Sequence, residues 1–392
     1  MKKKLAIIHH CGLVGGAGVS LIEVIKMLSE EYEITVYCPN NPNDMIELFK
    51  SKNIKYKEYN FLIGSIPHYS GGPSFISRTF WISIFNIFKY KKYWRREINN
   101  LDADIVLVNS MILCWLGRLI KKEKKKSICF VRETVPNKPI KIIFKNINKC
   151  FKNYFDKIYF ISRYDKESFF NIEEKSVVIK NNVKDEFFQV LDKIECCKKL
   201  NIKNNKFNIL FVGGISKLKG THVILEAIKY LPKDINLIVA GYNFYKKQIN
   251  IKNSYEKYIY ELLMDENIKD KVKFIGVQKD MIPAYYACDI LVFPSIEPHQ
   301  ARPAFEAGAC GKAVILSDFI QIRDEVENYK NGLLFKANNS KDLAEKIKLL
   351  YEDRELCSKL GVANKALTIE NHSRKSVKTI LLKETNNLFE EI

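Results

Sequence analysis

Two stretches of this chain begin in the same way: a short apolar run, then glycines, then a segment whose apolar residues recur at helical spacing. The first runs from Leu5 to His9 and turns at Gly12-Leu13-Val14-Gly15-Gly16-Ala17-Gly18. It continues with Leu21, Val24, Ile25 and Leu28 on one helical face. The second runs from Phe207 to Val212, turns at Gly213-Gly214, and continues as a helix from Thr221 to Leu231. Strands that point the same way need a crossover between them, so this pattern builds parallel sheets. Apolar runs at Ile34 to Cys38, Ile105 to Val108, Ser127 to Val131 and Lys157 to Ile161 extend the first series. Runs at Asn236 to Ala240, Lys271 to Ile275, Asp289 to Pro294, Ala313 to Leu316 and Gly332 to Phe335 extend the second. Two similar α/β domains are expected, residues 1–190 and 191–369. The polar, poorly periodic run 181–202 is the expected linker. Residues 370–392 carry Val377, Ile380, Leu381 and Leu388 at helical spacing and form a last helix.

The length of 392 residues suits two domains, and 47% hydrophobic residues supply cores for both. The formal net charge of +19 points to an anionic partner: a nucleotide, an anionic lipid surface or nucleic acid. A composition biased toward lysine would raise the charge equally well. No arginine-rich tail or zinc-finger spacing supports nucleic acid. The ten cysteines include no paired CxxC, which reads as reduced cytosolic thiols. The apolar run after Met1-Lys2-Lys3-Lys4 is too short for a signal peptide and reads as a first strand. No stretch offers the roughly 20 apolar residues of a membrane span.

The richest chemistry lies between Phe293 and Ala309. Glu297, His299, Arg302 and Glu306 fall in one loop and the helix after it. That helix is expected to open at Pro303, because proline suits the first helical position. Arg302 then sits beside free backbone N–H groups, a setting that favours anions. Plain capping by charged residues is the alternative. Asp102-Ala103-Asp104 looks like a DxD metal motif, but it precedes its strand and reads as a polar turn at the amino edge. No His, Cys and Asp cluster has zinc spacing, so no metal site is expected. His9 and His10 end the first strand, as core residues or near a ligand.

Pro294-Ser295, Glu297, the second glutamate Glu306 and the Ala-Gly that follows resemble the signature of retaining glycosyltransferases with the GT-B fold, family four. Eight residues separate the glutamates where the family has seven, with the extra one at His299-Gln300, and Ala301 replaces a usual glycine. The resemblance is strongest from Phe207 to about Leu367. It implies two Rossmann-like domains facing a cleft and a C-terminal helix crossing back to the first domain. It also implies an acceptor-binding first domain, a nucleotide-sugar donor in the second, retained anomeric configuration, and no metal or other cofactor. Gly15, Gly16 and Ala17 would approach the donor phosphate. In the loop Gly213 to Gly220, Lys219-Gly220 matches the family's Lys-Gly, while Gly214 stands where an arginine is usual. Gly214, Ser216 and Lys217 of this loop would line the nucleotide-sugar site, with Lys217 or Arg302 supplying the charge of the missing arginine. Lys219 and Arg302 would stabilise the leaving diphosphate, since fixed cations act most strongly in a dry site. Glu306 would accept from the ribose hydroxyls. Glu297 would position the sugar without acting as a covalent nucleophile. Val277 and Met281 would lie by the base, and His299, Ala301 and Pro303 would also line the nucleotide-sugar site.

Between Phe75 and Ile98, aromatic residues interleave with Arg78, Lys89, Lys91, Lys92, Arg95 and Arg96. A helix of this kind either lies on an anionic membrane or packs as an ordinary core helix with a basic outer face. Lys121 to Lys126 and Lys138 to Lys152 add basic runs. The expected protein is a cytoplasmic glycosyltransferase at the inner face of the cell membrane. Its acceptor is a glycan or a lipid-linked sugar of surface polysaccharide synthesis. A sugar-nucleotide epimerase on the same fold and a non-catalytic binding protein are the alternatives.

Overall fold

The computed structural model describes residues 2–136, 138–241, 254–298 and 300–390. Its contacts divide the chain into two units. One reaches Asn182 and takes in the stretch from Lys375 onward; the other is Val183–Arg374.

The first unit holds β1 (Lys3–His9), β2 (Tyr32–Pro39), β3 (Tyr56–Tyr59), β4 (Ile105–Asn109), β5 (Lys126–Val131), β6 (Lys157–Phe160) and β7 (Ser176–Val178). They form one parallel sheet in the order β3-β2-β1-β4-β5-β6-β7. Both faces are covered, which is why β4 is buried at every residue and reads as a continuous apolar run. Leu5 and Ile7 join one core cluster, Ala6 and Ile8 another, as alternation across a strand requires. The first crossover helix, Gly16–Leu28, starts inside the expected glycine turn. Gly15 caps it in an extended conformation, with its carbonyl accepting from Val19 N at 3.0 Å.

Asp102 and Asp104 do lie at the amino edge of this sheet. Asp104 accepts from Lys4 N at 2.9 Å and donates its own N–H to Lys4 O at 2.9 Å, while Asp102 pairs with the Lys4 ammonium. They tie β1 to the turn before β4.

The C-terminal helix Arg374–Glu390 belongs to the first unit from Lys375 on. Val377, Leu381 and Leu388 are buried in the cluster that holds Leu5 and Ile7. Thr385 Oγ1 lies 3.2 Å from Tyr159 OH, and Glu384 pairs with Lys157 at 3.3 Å. Leu381→Ala should therefore cost about 2–5 kcal/mol, read as a lower melting temperature. Unchanged melting would mean that this helix is not part of the core.

The second unit holds β8 (Phe207–Val212), β9 (Ile235–Ala240), β10 (Val272–Gly276), β11 (Ile290–Phe293), β12 (Ala313–Ser317) and β13 (Leu333–Phe335). This sheet is also parallel, in the order β10-β9-β8-β11-β12-β13. The strand order reverses between β8 and β11, as it does between β1 and β4. Open α/β sheets bind ligands beyond the carboxyl ends of strands at such reversals. The chain passes between the units at Asn182–Val183, inside the run expected as a linker, and the rest of that run supplies Val183, Phe187, Cys196, Cys197 and Ile202 to the core around Tyr285 and Phe305. It includes a short helix, Lys193–Lys199, capped by Asp192. All ten cysteines are free.

Candidate active site

Two loops lock together beyond β8 and β11. Gly213 and Gly214 both donate their N–H groups to Ala240 O, at 3.1 and 2.9 Å. Gly214 has φ +60, a conformation that favours glycine, so the arginine usual at this position would be strained here. Thr221 Oγ1 accepts from Ser216 N at 2.9 Å and bonds to Gly214 O, holding the turn closed. Gly220 has φ +72, and a Cβ built on it would lie 1.8 Å from Pro294 O. Ile296 N donates to Leu218 O at 3.0 Å. The backbone on either side of Lys219 is thus fastened to the backbone just before Glu297.

Lys219 is half-buried, and burial pushes its ammonium pKa below the ordinary lysine value. Among the described residues it has no carboxylate partner and no hydrogen bond from its ammonium. A desolvated cation without an anion is unfavourable by itself and is relieved when an anion binds. Lys217 is exposed in the same loop, and the Ser216 hydroxyl accepts from Lys219 N at 3.4 Å.

After β11, Glu297 is exposed, and Ser295 Oγ is buried with no hydrogen-bond partner among the described residues. His299 lies outside the described residues. Ala301, buried, is the cap of the helix Arg302–Ala309, with Pro303 in its first turn. The helix opens one residue before the expected start. Within it, Arg302 Nε donates to Glu306 Oε1 at 3.2 Å, and their side chains are only 21% and 17% exposed. Tyr285 OH donates to Glu306 Oε2 at 2.6 Å. Tyr285 is fully buried, and burial, with the Glu306 charge second, pushes its phenol pKa far up, so it stays a donor. Both Glu306 oxygens are therefore aimed before any ligand arrives. Tyr285 escaped the sequence reading because no fixed spacing links it to Glu306.

Gly276 turns at φ +73 after β10, and Val277 behind it is 69% exposed. Met281 is half-buried, its carbonyl accepting from Ala284 and Tyr285 N–H groups at 3.0 and 3.2 Å. In the first unit, Gly15 and Gly16 differ from Gly12. A Cβ on Gly12 would meet Pro42 O at 1.9 Å, while one on Gly15 or Gly16 would meet nothing within 4 Å. Gly12 is needed for packing; Gly15 and Gly16 leave open ground beside Ala17 at the head of their helix.

A second polar network lies at the carboxyl edge of the first sheet. Arg132 Nε donates to Asn109 Oδ1 at 3.0 Å, and Asn109 Nδ2 lies 3.0 Å from His9 Nδ1. A guanidinium can only donate, so the amide oxygen must face it and the amide N–H₂ must face His9. His9 then carries its proton on Nε2. Burial pushes the His9 pKa well down, so the ring is neutral. Glu133 accepts from Met111 N at 3.0 Å and Arg132 N at 3.1 Å, and also from Ser110 Oγ. Asn109, Arg132 and Glu133 were not singled out from sequence. The available signal was position: each closes, or directly follows, an apolar strand.

Residues 192–366 match the family described as glycosyl transferases group 1, and residues 14–187 match glycosyltransferase family 4. An uncharacterised glycosyltransferase of Methanocaldococcus jannaschii is 27% identical over 97% of this chain and 95% of its own length. The N,N'-diacetylbacillosaminyl-diphospho-undecaprenol alpha-1,3-N-acetylgalactosaminyltransferase of Campylobacter jejuni is 39% identical, over 24% of this chain and 25% of its own. Among solved structures, Anabaena HepE in complex with UDP superposes with a TM-score of 0.79 at 17% identity. That match covers 98% of this chain and 100% of HepE. Paired parallel sheets and this likeness define a GT-B fold. The chain belongs to the group 1 glycosyltransferases, and it is a transferase enzyme.

Proposed function

We propose that this protein is a retaining glycosyltransferase that takes a sugar from a UDP-sugar and delivers it to a lipid-linked glycan acceptor at the inner face of the cell membrane. The observation that carries the donor site is Lys219, a half-buried ammonium with no anionic partner among the described residues, fastened beside the Glu297 loop. When the bond from the anomeric carbon to the diphosphate breaks, the electron pair leaves with the diphosphate oxygen. Lys219 and Arg302 meet that charge in place of a metal ion. Glu306, aimed by Tyr285 and Arg302, accepts from the ribose hydroxyls, and Val277 and Met281 flank the base. Glu297 positions the sugar. In the first unit, the His9–Asn109–Arg132 network at the carboxyl edge of the sheet supports an acceptor site there. HepE was solved with UDP, which supports the choice of nucleotide. The Campylobacter relative is named for a diphospho-undecaprenol substrate, which supports a lipid-linked acceptor.

The test is UDP release from UDP-sugars with bacterial lipid-linked sugars as acceptors, with EDTA present, followed by NMR of the new anomeric proton. Release that persists in EDTA and yields the donor's configuration is expected. Loss in EDTA, or an inverted product, contradicts the mechanism. Conversion of the free UDP-sugar into its epimer would identify an epimerase instead.

A further inference from the structure

The helix that carries Arg302 and Glu306 is only eight residues long, Arg302–Ala309. A helix this short gains little from its own hydrogen bonds and sits where its neighbours hold it. One neighbour is the helix Arg354–His372. Toward the carboxyl end of the short helix the two approach closely. A Cβ on Gly308 would lie 2.1 Å from Thr368 Oγ1, and one on Gly361 would lie 2.4 Å from Gly311 O. Just beyond, Asn364 Nδ2 donates to Lys312 O at 3.0 Å. Next to Glu306 the contact is different in kind. The ring of Phe305 stacks on the imidazole of His372, with centroids 3.9 Å apart and planes 14° apart. Phe305 directly precedes Glu306, so a shift of one shifts the other.

His372 is itself held. Its Nε2 lies 2.8 Å from Glu325 Oε2, and the two side chains are only 1% and 7% exposed. Its carbonyl accepts from Val183 N at 2.8 Å. Glu325 stands in the turn after β12. There its N–H donates to Ile322 O at 2.9 Å, and its carbonyl accepts from Asn331 Nδ2 at 2.8 Å. For stability alone, apolar side chains of the same volume would serve as well as this buried pair. What the pair adds is direction. A hydrogen bond at Nε2 lies in the imidazole plane, so it fixes which way the ring face points, and that face meets Phe305.

We propose that His372, oriented by Glu325, is a positioning residue for the donor site: it seats Phe305 and thereby sets where the Glu306 carboxylate meets the ribose hydroxyls. The inference rests on the reading that Glu306 binds the ribose, and adds two residues that act through the helix instead of on the nucleotide. The bonds already described do not replace this seat. Arg302 rides on the same helix as Glu306, and Tyr285 reaches only one of its oxygens. Hydrogen bonds weaken steeply with poor alignment, so a small shift of the helix costs ribose recognition first.

The test reads ribose recognition apart from overall binding. Dissociation constants for UDP and 2′,3′-dideoxy-UDP are measured by calorimetry on the full protein, with melting temperatures alongside. Wild type should prefer UDP by about tenfold or more, as expected when hydroxyls bonded to a charged acceptor are removed. Glu325→Leu and His372→Leu should each bring that ratio close to one, by weakening UDP and leaving the dideoxy analogue unchanged. The double variant should lose no more than either single one, because both act through one bond. Glu325→Gln keeps a hydrogen-bonding group at the same place and should hold the preference to within about threefold of wild type. Glu325→Leu leaves an imidazole, which is readily buried neutral, whereas His372→Leu strands a carboxylate; the former carries the test if the latter does not fold. A folded Glu325→Leu protein with the wild-type preference would overturn the proposal. So would equal weakening of both ligands, or a Glu325→Gln protein as impaired as Glu325→Leu. Glu306→Ala separates the two ideas. If it loses the preference while Glu325→Leu keeps it, only the positioning role is wrong; if wild type shows no preference, or Glu306→Ala keeps it, the ribose reading falls as well.

Discussion

Lys219→Ala lowers the rate of sugar transfer by about a hundredfold or more, and most of the loss falls on kcat. The reason is that diphosphate charge grows as the glycosidic bond breaks, so a fixed cation helps the transition state more than the bound donor. Lys219 is the residue proposed for this, because nothing in its own loop neutralises it and burial already presses against its charge. Because no described carboxylate pairs with this half-buried ammonium, its removal should leave the ligand-free protein at least as stable as wild type, which separates lost chemistry from lost folding. The pH dependence follows by sign. The ligand-free pKa is lowered from 10.5, and a bound diphosphate favours the charged form. UDP affinity therefore falls as pH rises through the lowered value, before 10.5 is reached, and Lys219→Ala removes that fall. An alanine variant with wild-type turnover would refute the role.

Gly220→Ala is expected to damage both fold and site. Its φ of +72 costs an L-residue about 1–2 kcal/mol. The added Cβ would also meet Pro294 O at 1.8 Å, and that atom is backbone that cannot swing aside. The two loops must part, which stretches the Ile296 to Leu218 hydrogen bond and moves Lys219 away from Glu297. Melting should fall by several degrees, and UDP stabilisation should be lost in the fraction that still folds. Gly16→Ala is the control. Its Cβ meets nothing within 4 Å, so stability should hold to within about 0.5 kcal/mol. A Gly220→Ala protein that melts and binds like wild type would show that the loops are not locked as described.

The sheets were legible because parallel strands buried on both faces leave unbroken apolar runs, as in β4 and β8. Lys219, Glu297 and Glu306 were picked out because they fall on the residues that resemble the family signature, and the structure fastens the Lys219 loop to the backbone before Glu297. What stayed hidden depends on contacts across long sequence distances. Tyr285 reaches Glu306 from a neighbouring helix, and His9 is oriented through Asn109 by Arg132. No local pattern records such pairs. The run 181–202 does contain the passage between the units, but Val183, Phe187, Cys196, Cys197 and Ile202 follow no regular spacing, so its packing into the second unit was not legible.

Thermal unfolding with UDP, GDP, CDP and ADP tests the donor site most directly. Wild type, Lys219→Ala and Glu306→Ala should be run in parallel. A ligand at a hundredfold its dissociation constant adds about 2.7 kcal/mol to the folded state. UDP alone should raise the wild-type melting temperature, and both variants should lose most of that rise while still folding. A folded wild type that responds to none of the four, or variants that respond as wild type does, would contradict a nucleotide-sugar site built on Lys219 and Glu306.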